Sequence, residues 1–129
     1  MRVYYEDTDA GGVVFYANYL RFMERARTEW LRGLGFEQDE LREREGVLFV
    51  VRRVEVDYLS PARFNDLLGV SLALLRRGRA GLDFAQEVRR EGDGLLCCRG
   101  RVAVACVSAD GFRPQRIPDK LLAEIADVP

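Results

Sequence analysis

Residues 17–34 carry one apolar stripe at helical spacing. Tyr19, Phe22, Met23, Ala26, Trp30, Leu31 and Leu34 recur every three or four positions, while Arg21, Glu24, Arg25, Arg27, Glu29 and Arg32 take the remaining surface. No other segment is as periodic. This restricts the fold more than any other feature, because one such stripe can cover one face of a single sheet. Glu24–Arg27 and Glu29–Arg32 are spaced to pair at i,i+3, each worth roughly a few tenths of a kcal/mol. Gly35 follows the last apolar position and suits a left-handed C-terminal cap. Residues 36–45 are charged and read as a short surface helix or turn.

Sheet patterns occupy most of the rest. Residues 2–6 read as a first strand, with Val3 and Tyr5 on one face and Tyr4 and Glu6 on the other. From Val47 onward four longer runs alternate. Leu48, Val50, Val54, Val56 and Tyr58 share a face of the first, which ends before Pro61. Leu68, Val70, Leu72 and Leu74 share a face of the second. Leu82, Phe84 and Val88 mark the third, and Cys98, Val102, Val104 and Cys106 the fourth. Arg77-Gly78-Arg79 and Glu91-Gly92-Asp93-Gly94 have the composition of hairpin turns. Residues 118–125 suit one short helix with Pro118 at its first position. The expected fold is therefore α+β: one domain over residues 1–129, with a five-stranded antiparallel sheet against one long helix. One face and the edges of such a sheet stay open, and dimerisation through an edge strand is the expected remedy.

Composition narrows the chemistry. The net charge of −1 comes from interspersed acids and bases, which argues against nucleic-acid binding driven by bulk charge. No apolar run approaches the roughly 20 residues that span a bilayer, so no stable membrane insertion is expected. No leader pattern opens the chain, and a cytoplasmic location is expected. Cys97 and Cys98 are adjacent and project to opposite faces of a strand; with Cys106 they read as reduced core thiols. There is no histidine. Ser-His-Asp and Cys-His catalysis, histidine-ligated metals and histidine-dependent dehydratases are thereby excluded. The single lysine, Lys120, lies in the tail and is poorly placed for a buried Schiff base.

Acid–base chemistry must then use carboxylates, tyrosines or backbone dipoles, and residues 4–19 bring these together. Glu6, Asp7 and Asp9 fall within four positions, just before Gly11-Gly12 and the helix. Unpaired amides at a helix start favour negative charge, so a carboxylate beside them is placed to attack a carbonyl. Asp7 is expected to fix the turn. Gly11 and Gly12 either admit a substrate closely or simply permit the turn. Asn18 suits a helix cap or a bond across a dimer. Tyr19, Phe22, Met23 and Trp30 suit the core, along whose surface an apolar ligand would also run.

Tyr5-Glu6-Asp7-Thr8-Asp9-Ala10-Gly11-Gly12-Val13-Val14-Phe15-Tyr16-Ala17-Asn18-Tyr19, followed by Phe22-Met23-Glu24-Arg25-Ala26-Arg27, resembles the opening of the hotdog-fold acyl-CoA thioesterases. The likeness is closest to the YbgC type within the 4-hydroxybenzoyl-CoA thioesterase-like family. Tyr58-Leu59-Ser60-Pro61-Ala62-Arg63 and Asp66 extend it across nearly the whole chain. The resemblance implies a curved sheet wrapped around the helix, dimers or tetramers with sites at the subunit interface, and an acyl-CoA substrate. Acyl carrier protein is the other carrier to consider, and no metal or organic cofactor is expected. It puts the catalytic carboxylate on Asp9 and the carbonyl-polarising N–H on Tyr16. Many YbgC-type members have histidine where this chain has Tyr16, but a backbone donor survives either side chain. Apart from the resemblance, Arg76, Arg77 and Arg79 either anchor the phosphates of CoA, as paired guanidinium donors can, or form an ordinary solvated turn. Asp9 either activates water or attacks the carbonyl itself. The rival reading is a non-catalytic hotdog module that binds acyl-CoA or acyl carrier protein as a scaffold or sensor.

Overall fold

In the computed structural model, which describes residues 1–125, a five-stranded antiparallel sheet is built from β1 (Val47–Tyr58), β2 (Leu68–Val70), β3 (Ala73–Arg77), β4 (Gly81–Arg90) and β5 (Leu96–Ser108). Its order is β1-β5-β4-β2, and β3 also pairs with β4. The long helix α1 (Asn18–Gly33) crosses β4 and β2. Two short helices, α2 (Gln38–Glu45) and α3 (Asp119–Glu124), close the far end. Gly35 has φ +93°, as expected for the turn that stops α1. Pro118 stands one position earlier than expected, as the N-cap of α3.

The predicted five-stranded α+β architecture holds, with three corrections. Residues 2–6 do not form a strand. Arg2 makes one isolated bridge to Leu67, and Tyr5–Asp7 then coils into a 3-10 turn. The cause is local: the Asp7 carboxylate accepts the Tyr4 N–H at 3.0 Å and draws the backbone round. The fifth strand arises instead because residues 68–74 divide into β2 and the start of β3, although Leu68, Val70, Leu72 and Leu74 all pack into the core layer as expected. In β1 the register slips between Val51 and Arg53. The extra residue, Arg52, reverses the side-chain parity. Val51 and Val54 therefore both lie on the helix side, opposite Val104 and Val102, while Leu48 and Val50 lie on the other face.

The core divides along α1. Tyr19, Phe22 and Met23 pack with Val3, Val14, Ala62, Leu68, Val88 and the two adjacent cysteines at one end of the sheet. Leu31 packs with Leu82, Phe84, Val102, Val104, Ile117 and Leu121 at the other. Complete burial of Phe22 and Met23 stabilises the fold by about 1.5–3 kcal/mol each. One polar residue, Gln86, lies buried on the core face of β4. Its amide donates to the Met23 carbonyl at 3.0 Å and its carbonyl accepts from Arg27 Nη1 at 2.9 Å. Arg27 is thus drawn inward and forms no ion pair with Glu24 among the described residues, whereas Glu29 and Arg32 do pair at 2.7 Å.

Candidate active site

The acid-rich stretch folds into a small hooked loop on the start of α1. Thr8 bridges to Val14, and Val13 bridges to Arg63. The Asp9 N–H donates to the Val13 carbonyl at 2.9 Å, and the Gly12 N–H to the Asp9 carbonyl at 3.0 Å. Gly12 has φ +77°, a backbone conformation that a Cβ resists, so this tight return needs a glycine. Asp7 and Asp9 have opposite surroundings. Asp7 is buried, and its carbonyl accepts both the Phe15 N–H at 2.9 Å and the Asn18 amide at 3.0 Å. Asp9 is exposed. Its Oδ1 accepts the Gly11 N–H at 2.8 Å, and its Oδ2 has no protein donor among the described residues.

The start of α1 supplies the complementary charge. The Asn18 N–H bonds the Phe15 carbonyl at 2.8 Å and the Tyr19 N–H bonds the Tyr16 carbonyl at 3.3 Å. The preceding amides, Tyr16 N–H and Ala17 N–H, have no protein acceptor among the described residues. They stand at the positive end of a 16-residue helix. Aromatic rings flank them. Tyr16 lies 4.7 Å from Phe15 and 5.9 Å from Tyr58, ring centroid to ring centroid, and the residue is 61% exposed. Tyr58 belongs to the motif noted in the sequence, but its position against Tyr16 follows only from the β1–β5 register.

Other expected site residues take different places. Asn18 is buried, and its amide fastens the Asp7 carbonyl to the helix start. Tyr19 is core: its hydroxyl accepts the Ala62 N–H at 2.9 Å, and burial pushes its pKa above the ordinary tyrosine value. Arg76, Arg77 and Arg79 do form a hairpin, at the opposite end of the sheet from Asp9. Arg77 is committed there to α3, where Nη1 donates to the Leu122 carbonyl at 3.2 Å and to the Ile125 carbonyl. Arg79 and Arg77 share a surface hollow of about 490 Å³ with Arg116, which lies far along the chain and has no sequence signal linking it to the hairpin. Among the described residues no three acids or thiols converge as metal ligands would.

A five-stranded antiparallel sheet of this order with one long helix across it defines a hotdog domain. The chain belongs to the thioesterase-like superfamily, whose family model matches residues 3–125, and within it to the YbgC-type thioester hydrolases. It is 43% identical over 123 residues to the acyl-CoA thioesterase YbgC of Haemophilus influenzae, covering 95% of this chain and 89% of that protein. A probable thioesterase from Bartonella henselae superposes with a TM-score of 0.85 at 34% identity, over 92% of this chain and 95% of that one. A 1,4-dihydroxy-2-naphthoyl-CoA thioesterase from Synechocystis shares the fold at a TM-score of 0.91 and 20% identity, over 99% and 93% of the two chains.

Proposed function

We propose that the chain hydrolyses acyl-CoA to free acid and CoA, with Asp9 as the attacking or water-activating carboxylate. What supports this reading is an exposed carboxylate in the loop that precedes α1, together with two uncommitted amides at the start of that helix. The thioester oxygen would lie against Tyr16 N–H, where the growing negative charge meets a fixed donor and the helix dipole. Asp9, with its Oδ2 free, would face the carbonyl carbon or a water beside it. Gly11 and Gly12 keep that approach open. Because this surface is exposed in one chain and the β1 edge is unpaired, a second copy is expected to complete the cavity. The arginine hairpin of Arg76, Arg77 and Arg79 would hold the phosphates of CoA, with Arg77 also supporting α3. Acyl carrier protein is the alternative carrier. The buried free thiols suit a reducing compartment, in keeping with a cytoplasmic location.

The decisive variant is Asp9→Asn, which keeps shape and removes charge. Release of CoA thiol from a panel of acyl-CoAs should fall by about 10²–10⁴-fold in kcat while the variant stays folded. A folded variant that keeps most of its turnover would remove Asp9 from the mechanism. A wild-type chain that binds the panel but releases no thiol would instead establish the non-catalytic acyl-CoA binder. Single-turnover hydrolysis in ¹⁸O-water separates the two routes, because label entering the Asp9 carboxylate requires direct attack.

A further inference from the structure

The second half of α1 borders a cavity of about 280 Å³ that the proposed hydrolysis leaves without a role. It lies between α1, α2 and the sheet, and its size is at the lower end of small-molecule sites, about 300 Å³. Trp30, Phe49, Val51 and Phe84 make its walls apolar. Four polar side chains also reach it: Glu24, Arg27, Thr28 and Gln38. Gln38 is held in place, because its amide donates to the Phe49 carbonyl at 3.1 Å and accepts the Phe49 N–H at 3.0 Å. Arg27 is different. It is half-buried and held by the bond from Nη1 to Gln86 Oε1, and Gln86 is itself locked to the Met23 carbonyl. Its Nε and Nη2 donors have no protein acceptor among the described residues, and Glu24, though on the same cavity, forms no salt bridge with it. Burial lowers the Arg27 pKa from its ordinary value and Glu24 opposes that, as for a guanidinium partly stripped of water without a paired anion.

A fixed guanidinium with uncommitted donors, set in an apolar box, recognises a carboxylate on an apolar stem. We infer that this cavity binds the carboxylate end of a small apolar acid, supplied either as the distal end of an acyl group or as a free acid. The first source rests on the thioesterase reading; the second does not. The spacing suits the first. Gln86 holds the guanidinium near the level of Met23, seven residues beyond Tyr16 in the turn that leads into α1, a rise of about 10 Å. An extended medium-length chain whose thioester lay at Tyr16 would bring a terminal carboxylate to Arg27.

Binding without catalysis tests the site itself. Isotope-labelled protein is titrated with octanoate and with octanamide, which match in stem and differ in charge. Octanoate should bind about tenfold more tightly or better, with shifts at the Trp30 indole and the Arg27 Nε–H. Arg27→Gln should abolish that preference, and Arg27→Lys, which keeps the charge, should retain part of it. Equal affinities in the wild-type chain, or shifts that bypass Trp30 and Arg27, overturn the inference whether or not the variants fold. Hydrolysis then identifies the source. If the cavity takes the acyl end, suberoyl-CoA should show a KM about tenfold below that of octanoyl-CoA, and Arg27→Gln should erase the gap. If it takes a free acid, the two KM values agree and octanoate binds without competing with substrate. A chain that discriminates octanoate from octanamide but cleaves no thioester keeps the cavity and loses the hydrolase.

Discussion

Asp7 and Asp9 stand two positions apart and present the same chemistry to the chain, yet their surroundings divide them. The Asp7 carboxylate needs only an acceptor for Tyr4 N–H, and an asparagine carbonyl serves as well. Asp7→Asn should therefore cost no more than about 1 kcal/mol and leave kcat within a few fold, in contrast to Asp9→Asn. Denaturant midpoints and turnover measured side by side on the two variants check this, and equal losses of activity would end the distinction. Asn18→Leu removes the amide that fastens the Asp7 carbonyl to α1. It should lower stability by about 0.5–1.5 kcal/mol and slow turnover, because the Asp9 loop loses its anchor. The cysteines make a pH prediction. Cys98 is fully buried, and burial first, then the neighbouring Cys97 and Asp57, pushes its thiol up from 9.0 to about 12; burial likewise takes Cys106 to about 11. Below pH 9 these thiols are neutral whether the chain is folded or not. Above it the unfolded chain ionises first, so stability should fall as pH rises from about 9 towards 12. Melting temperatures at pH 8 and pH 10.5 measure the loss. The same burial should leave the thiols unreactive in the native chain, so a thiol reagent reads released CoA without interference.

At the level of helices and strands, close approach constrains Gly100 on β5 from three sides. A Cβ there would stand 3.2 Å from the Glu55 carbonyl and 3.3 Å from both Met23 Cε and Val56 Cγ2. The two side-chain ends can shift, but the paired strand cannot. Gly100→Ala should thus destabilise the fold by about 1–3 kcal/mol, seen as a lower denaturant midpoint with the slope unchanged. The elements themselves were legible because each carries its own period: 3.6 over α1, two over β4 and β5, with glycine turns between. What was not legible depends on partners distant in sequence. The slip at Arg52 exists only in the pairing of β1 with β5, and it moved Leu48 and Val50 off the helix face. Arg27 has an acid at i−3 that suggested a surface pair, but Gln86, 59 residues away, captures it instead. In the site, the Asp9 loop and the helix start were readable from the glycine pair and the apolar stripe. The inward turn of Asn18, and the engagement of Arg77 with α3, required the packed chain, whereas Tyr19 was already legible as core from the stripe.

For the molecule as a whole, β1 is an open edge of the sheet among the described residues. Val51 and Val54 face the helix side there yet remain 47% and 39% exposed, beside Tyr58 and Leu59. The register places the two candidate binding regions far apart. Arg77 lies opposite Leu82 on β4, whereas the Tyr58 end, beside Tyr16, aligns through Cys98 with Val88, six residues further and about 20 Å along the strand. Two copies paired antiparallel through β1 would bring the arginine end of one copy to the Asp9 end of the other. Val54→Asp should accordingly convert a dimer to a folded monomer in sedimentation and remove hydrolysis with it. A subunit-mixing experiment asks the finer question. Asp9→Asn alone lacks the carboxylate, and the Arg76→Ala, Arg79→Ala double variant alone binds acyl-CoA weakly. If the arginines serve the neighbouring subunit, each mixed dimer holds one site with both functions intact. Random exchange should then restore about a quarter of wild-type activity, with the wild-type KM. If they serve their own chain, no mixed site is intact, and the activity of the mixture stays at the average of its parts.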